Sequence, residues 1–168
     1  MPRGLSRAEL LRGRFAEISG TGRPPYSLPE VDFIGLCEAC DDCRNACETS
    51  IIGTDDEGYP VLRFGEARCS FCGACATACT TGALDPDKAR AWTVIAEVRG
   101  SCLSFEGITC RACEETCAPG AIRFRLMTGG RAVPLLNEAD CTGCGACAVV
   151  CPNQSIHMTS RKAEEVFA

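Results

Sequence analysis

Sixteen of the 168 residues are cysteine, and they fall into four groups of four with none left over. The groups are Cys37, Cys40, Cys43 and Cys47, then Cys69, Cys72, Cys75 and Cys79, then Cys102, Cys110, Cys113 and Cys117, and last Cys141, Cys144, Cys147 and Cys151. Three groups read C-x2-C-x2-C-x3-C. Three thiolates so spaced curl one loop around three irons of a [4Fe–4S] cube, and the fourth points away from that loop. Zinc usually takes two separated C-x2-4-C pairs, so a triple run serves it poorly. Residues 1–15 carry arginines but no apolar h-region, so no secretory signal is expected, and a disulfide scaffold is doubtful. The chemistry to expect is that of four [4Fe–4S] clusters.

The fourth group ends on Pro152 and completes the bacterial-ferredoxin signature. In that signature the fourth cysteine, expected at the start of a helix, ligates the other cluster of a pair. Crossing within neighbouring motifs gives Cys37, Cys40, Cys43 and Cys79 to one cluster and Cys69, Cys72, Cys75 and Cys47 to a second. It gives Cys102, Cys110, Cys113 and Cys151 to a third and Cys141, Cys144, Cys147 and Cys117 to a fourth. The alternative pairs the outer motifs with each other and the inner motifs likewise. The third motif departs from the pattern by placing seven residues between Cys102 and Cys110. These read as a loop insertion that keeps all four ligands, or as a partner-contact loop led by Phe105.

The elements that must position these loops are short. Motifs two and four repeat one unit: Cys72-Gly73-Ala74-Cys75-Ala76 matches Cys144-Gly145-Ala146-Cys147-Ala148. The glycines tolerate positive φ and let backbone N–H groups approach sulfur. Strand-like segments precede the motifs at 31–36, 61–64, 92–98 and 133–136. An aliphatic residue, Ile52, Leu84, Ile122 or Ile156, follows each last cysteine by five positions. Helices of about two turns are expected between, too short to stand alone. Polar turns predict hairpins between motifs one and two and between motifs three and four. The fold class is α+β: two bacterial-ferredoxin-like di-cluster modules, pseudo-twofold, built of short strands and short helices. The division is a basic N-terminal arm at 1–30, a first module at 31–90 and a second at 91–168.

Composition agrees. Hydrophobic residues make up 46%, cysteines included, and only 6% of the chain is aromatic. The ordinary apolar core is therefore thin, and metal must supply folding free energy. Clusters with four thiolates carry about −2 each, which would take the formal charge from −5 to about −13. Asp41-Asp42 and Glu114-Glu115 beside the motifs read as solvated acidic edges. Residues 1–25 run against that charge, with five arginines and two glutamates. Leu5, Ala8, Leu11 and Phe15 give the arm an amphipathic helical pattern, with Ser6 and Glu9 as a capping box. It could pack on its own domain or dock a partner. Stable membrane anchoring is not expected from one short helix, and no long apolar run suggests a membrane span. No basic patch beyond the arm suggests nucleic acid. No phosphate-binding loop is present, and the one histidine, His157, reads as a surface residue on the last strand. No means of transforming an organic substrate is visible, so the chain is not expected to be an enzyme.

The motif order resembles one family. Leu10-Leu11-Arg12-Gly13-Arg14-Phe15, Arg23-Pro24-Pro25-Tyr26, Gly58-Tyr59-Pro60, Cys69-Ser70-Phe71-Cys72, Arg90-Ala91-Trp92 and the long-spaced third motif look like the NapF ferredoxin-type proteins. The likeness spans nearly the whole chain. It implies a cytoplasmic protein, not itself exported, that acts on the precursor of the catalytic subunit of a periplasmic nitrate reductase. There it would help assemble or reduce that subunit's own [4Fe–4S] cluster, with an electron-donor protein as a further partner. It also implies that all sixteen cysteines are cluster ligands. The competing role is a simple electron-transfer ferredoxin serving a reductase.

Overall fold

The computed structural model describes residues 22–89 and 92–161. The amphipathic helix expected at 5–15 lies outside them. The first half holds α1 (Glu30–Leu36), α2 (Asp42–Asn45), β1 (Ile52–Thr54), β2 (Pro60–Leu62) and α3 (Ala74–Ala78). The second holds β3 (Val94–Val98), α4 (Ala112–Thr116), β4 (Ile122–Leu126), β5 (Ala132–Leu136), α5 (Ala146–Val149) and β6 (Ile156–Ser160). Each half thus runs cluster-loop helix, hairpin, cluster-loop helix, as a duplicated ferredoxin-like fold requires.

Both expected hairpins form. β1 pairs antiparallel with β2, Ile52 facing Leu62, and β4 with β5, Ile122 facing Leu136. The four post-motif aliphatics, Ile52, Leu84, Ile122 and Ile156, are all buried. Three of them begin strands, while Leu84 makes a single bridge to Ser27. That bridge is the first half's short counterpart of the β3–β6 ribbon, in which Val98 faces Ile156 and Val94 faces Ser160. In both halves the chain entering the first motif pairs with the chain leaving the second.

Two local expectations fail. The segment 31–36 is helix, not strand. Pro29 sits at its N-cap, Glu30 and Asp32 lie in its first turn, and acidic groups there favour a helix start. Only Phe33 is buried, while Val31 is 86% exposed, so burial follows one helical face rather than alternate residues. The helices of the cluster loops span four or five residues, about one turn, half the expected length. They carry the third cysteine of each motif rather than beginning at the fourth. Cys79 and Cys117 are C-caps, and Cys47 and Cys151 follow one residue beyond theirs.

Arg23 ties the entry of the chain to the first hairpin. Its guanidinium donates to Glu30 at 2.8 Å, to Asp55 at 2.8 Å and to the Pro60 carbonyl at 3.3 Å. It also lies over the rings of Phe33, 4.9 Å from the centroid, and Tyr59, 5.4 Å, a cation–π placement that strengthens when the charge is desolvated. The side chain is only 10% exposed, so its charge is satisfied by these partners and not by water. Large fully buried side chains are few, chiefly Phe33, Phe64, Ile51, Leu62 and Ile122. The third cysteines, Cys43, Cys75, Cys113 and Cys147, are buried with them as part of the core.

Candidate metal centres

All sixteen cysteines are free thiols. Twelve of them line three cavities, four to each. One cavity is lined by Cys37, Cys40, Cys43 and Cys79, with Phe33 and Leu84 as apolar wall. A second is lined by Cys47, Cys69, Cys72 and Cys75, walled by Ile51, Ile52 and Leu62. A third is lined by Cys102, Cys110, Cys113 and Cys151, walled by Val98, Phe124 and Ile156. Around the buried Cys147 the neighbouring thiols that raise it are Cys144 and Cys141, then Cys113 and Cys117. Each of the three cavities mixes three cysteines of one motif with the last cysteine of its hairpin partner. The cause is local: α2 packs on α3, and α4 on α5, which carries each motif's end across to its neighbour.

The backbone shapes three loops alike. The second and fourth residues after the first cysteine have positive φ: Ala39 and Asp41, Phe71 and Gly73, Gly143 and Gly145. Alternating hand turns successive N–H groups inward into an anion-binding concavity, which suits a cube whose thiolate shell is negative. Asp41 adopts this conformation without being glycine, so it has a backbone role beyond the acidic edge expected of it. It also pairs with Arg44 at 3.3 Å. The third motif lacks the pattern, and its insertion closes on itself instead. The Phe105 N–H donates to the Cys102 carbonyl at 2.9 Å, the Ile108 N–H to the Leu103 carbonyl at 3.0 Å, and the buried Ser104 hydroxyl to the Cys110 carbonyl at 3.1 Å. Glu114 is not a free edge either: it accepts from the Phe124 N–H at 3.1 Å and the Arg111 guanidinium at 2.6 Å.

These sets fit iron–sulfur clusters in their donors and their electrostatics. Burial pushes the Cys43, Cys75 and Cys113 thiols up to about 11 and Cys147 to about 12, and neighbouring thiols push the same way. Thiols so raised release their protons to solvent when a strongly positive core binds the sulfur, and a cluster's irons would supply that charge. Among the described residues no three His, Cys, Asp or Glu side chains converge tightly enough to hold a single metal ion. The thiols instead stand around cavities, four to each in the three described above.

The crossing cysteines of the first half differ from the rest. Burial raises Cys47, but the Thr49 hydroxyl and the Ile51, Ile52 and Thr49 amides outweigh it, and the net shift is downward. Cys79 is lowered against burial in the same way by Thr81 and the Leu84, Thr81 and Ala83 amides. The hydroxyls lie 3.5 Å from the Cys47 sulfur and 3.6 Å from the Cys79 sulfur. A metal-bound thiolate has no proton, so threonine is then the donor. Sequence reasoning missed both, although Cys47-Glu48-Thr49 and Cys79-Thr80-Thr81 share a threonine two positions past the cysteine. In the second half Ala118-Pro119 and Pro152-Asn153 stand there. Hydrogen bonds to sulfur stabilise the reduced, more negative cluster. Thr49→Val is therefore expected to lower the midpoint potential of the centre that Cys47 serves, and Thr81→Val that of the centre Cys79 serves. Potentiometric titration read by EPR measures both shifts, and unchanged midpoints would remove this role.

Comparison with known proteins places this arrangement. The model of the 4Fe–4S dicluster domain matches residues 36–83 and again 108–164. The chain is 42% identical to ferredoxin-type protein NapF of Escherichia coli K12, over 90% of this chain and 92% of that one. It is 38% identical to ferredoxin-type protein NapF of Haemophilus influenzae, over 96% and 97%. It is 33% identical to the methylamine utilization ferredoxin-type protein MauM of Paracoccus denitrificans, over 88% and 74%. No solved structure matches it.

Proposed function

The chain belongs to the NapF family of ferredoxin-type proteins, and on that premise we propose that it is a cytoplasmic accessory protein for maturation of the periplasmic nitrate reductase. Its partner is the precursor of the catalytic subunit, before export. Its task is to assemble or reduce that subunit's own [4Fe–4S] cluster. It does this as a four-cluster ferredoxin, in two di-cluster modules at 31–90 and 91–168 that follow a basic arm at 1–30. The ligand sets are Cys37, Cys40, Cys43 and Cys79; Cys69, Cys72, Cys75 and Cys47; Cys102, Cys110, Cys113 and Cys151; and Cys141, Cys144, Cys147 and Cys117. When bound, the clusters supply one-electron chemistry.

The observation that carries the reading is 42% identity to a NapF relative over 90% of this chain, a match that spans all sixteen cysteines' motifs in a chain where twelve of them line three cavities. The three cavities described above are each lined by four cysteines, and the chain carries clusters and electrons without catalysing a reaction of its own. No helix among the described residues is long and apolar enough to cross a membrane. Affinity capture with the anaerobic holo-protein tests the proposal. It is expected to retain the cofactor-poor precursor of the catalytic subunit. Retention of the mature, exported form alone would overturn it and favour a plain electron carrier.

A further inference from the structure

The order of the four cysteine sets in space follows from three junctions. The packing of α2 on α3 puts the sets of motifs one and two side by side, and that of α4 on α5 does the same for motifs three and four. The third junction joins the halves, and motifs two and four make it. The Cys69 N–H donates to the Cys144 carbonyl at 2.8 Å. Phe64, buried at 2% exposure, lies so close over Gly145 that a Cβ there would collide with its ring. Phe71 meets Trp92 edge to face with ring centroids 5.9 Å apart. Trp92 in turn donates to the Thr142 carbonyl at 2.9 Å, and Gly143 leaves no room for a Cβ against Val94 and Trp92. The second cysteine of motif four, Cys144, is accordingly half-covered, whereas Cys40 and Cys72 are exposed.

We propose that the four sets form one series, in the order motif one, motif two, motif four, motif three, so that the chain is a single four-centre relay and not two independent ferredoxins. The proposal rests on the ligand sets given under the proposed function. Cys69 and Cys144 each belong to one of those sets, so a single backbone hydrogen bond separates the covalent frames of the two inner centres. The ends are motif one, beside the exposed Val31 and Ile34 of α1, and motif three, beside Phe105 and Ile108 of the insertion, which are 39% and 54% exposed. The series suits passage of single electrons from end to end. A reduced flavoprotein or other one-electron donor is oxidised at one end, and an oxidised iron–sulfur centre of a partner is reduced at the other. One electron moves, and no proton or bond changes hands.

The test is the EPR spectrum of the fully reduced, anaerobic holo-protein, in which neighbouring reduced centres broaden each other by magnetic coupling. Cys40→Ala removes an end centre, and the series predicts that the three remaining centres all stay coupled. Cys72→Ala removes an inner centre and is expected to leave motif one's centre isolated, with a narrow uncoupled signal. Two independent pairs would instead give an isolated signal in Cys40→Ala, from motif two's centre, and that result overturns the proposal. Cys110→Ala, at the other end, reads the same question should Cys40→Ala fail to fold, and there too an isolated signal overturns it. Iron content separates the two levels: a variant that loses no centre refutes the ligand sets, whereas loss of one centre with the wrong coupling refutes the order.

Discussion

Removing the iron is expected to unfold the chain, not merely to empty it. The secondary structure is too short to persist alone: the cluster-loop helices span four or five residues, where isolated helices under about 12 residues are marginal in water. Each sheet among the described residues has two strands, a unit that is marginal by itself. The buried core is partly made of cysteines, since Cys43, Cys75, Cys113 and Cys147 lie in it. Structural zinc in small domains contributes about 10–16 kcal/mol of folding free energy, and a cluster joining two motifs has a comparable task. The pH dependence has a definite sign. In the unfolded, metal-free chain the thiols are largely protonated at neutral pH, as free cysteine with its pKa of about 8.5 is. Loading therefore releases protons, is favoured as pH rises and is opposed by acid. Far-UV circular dichroism and amide exchange before and after chelation should show the strands lost. A chelated chain that kept its amide protection would contradict this.

The second large effect is expected from Cys47→Ala. Chain order alone assigns Cys47 to motif one, but its side chain lines the cavity of Cys69, Cys72 and Cys75. The substitution should therefore remove the centre of motif two and leave that of motif one. The Mössbauer and EPR spectra should match those of Cys72→Ala and not those of Cys40→Ala, with iron content down by about a quarter. Cys79→Ala should give the converse. The effect falls on that centre, because Cys47 is one of the four thiols lining its cavity and the nearby Thr49 hydroxyl is a hydrogen-bond donor at that sulfur, not a replacement thiolate.

The most legible parts of this molecule in its sequence were those dictated by chemistry at short range. The polar segments 53–58 and 128–130 predicted the two hairpins found there, and three of the four aliphatics five residues beyond the motifs begin strands, the exception being Leu84. The strand expected at 31–36 failed because its apolar residues were weighed without Pro29, Glu30 and Asp32, which mark a helix start. The β3–β6 ribbon was not foreseen, because its pairing joins residues about sixty positions apart and no turn signals it. The junction between the halves was equally hidden. Gly145 is assigned to the cluster loop from sequence, but not to the close approach of Phe64, and Gly143 beside Val94 is not singled out. Thr49 and Thr81 were visible as a repeated spacing that acquires meaning only beside a sulfur.

The central claim, that sixteen cysteines hold four cubanes, is most directly tested by quantifying iron and acid-labile sulfide per chain in the anaerobically purified protein. About sixteen of each, four per cluster, is the predicted result. About four metal ions per chain with no labile sulfide would mean four mononuclear sites, and would contradict it.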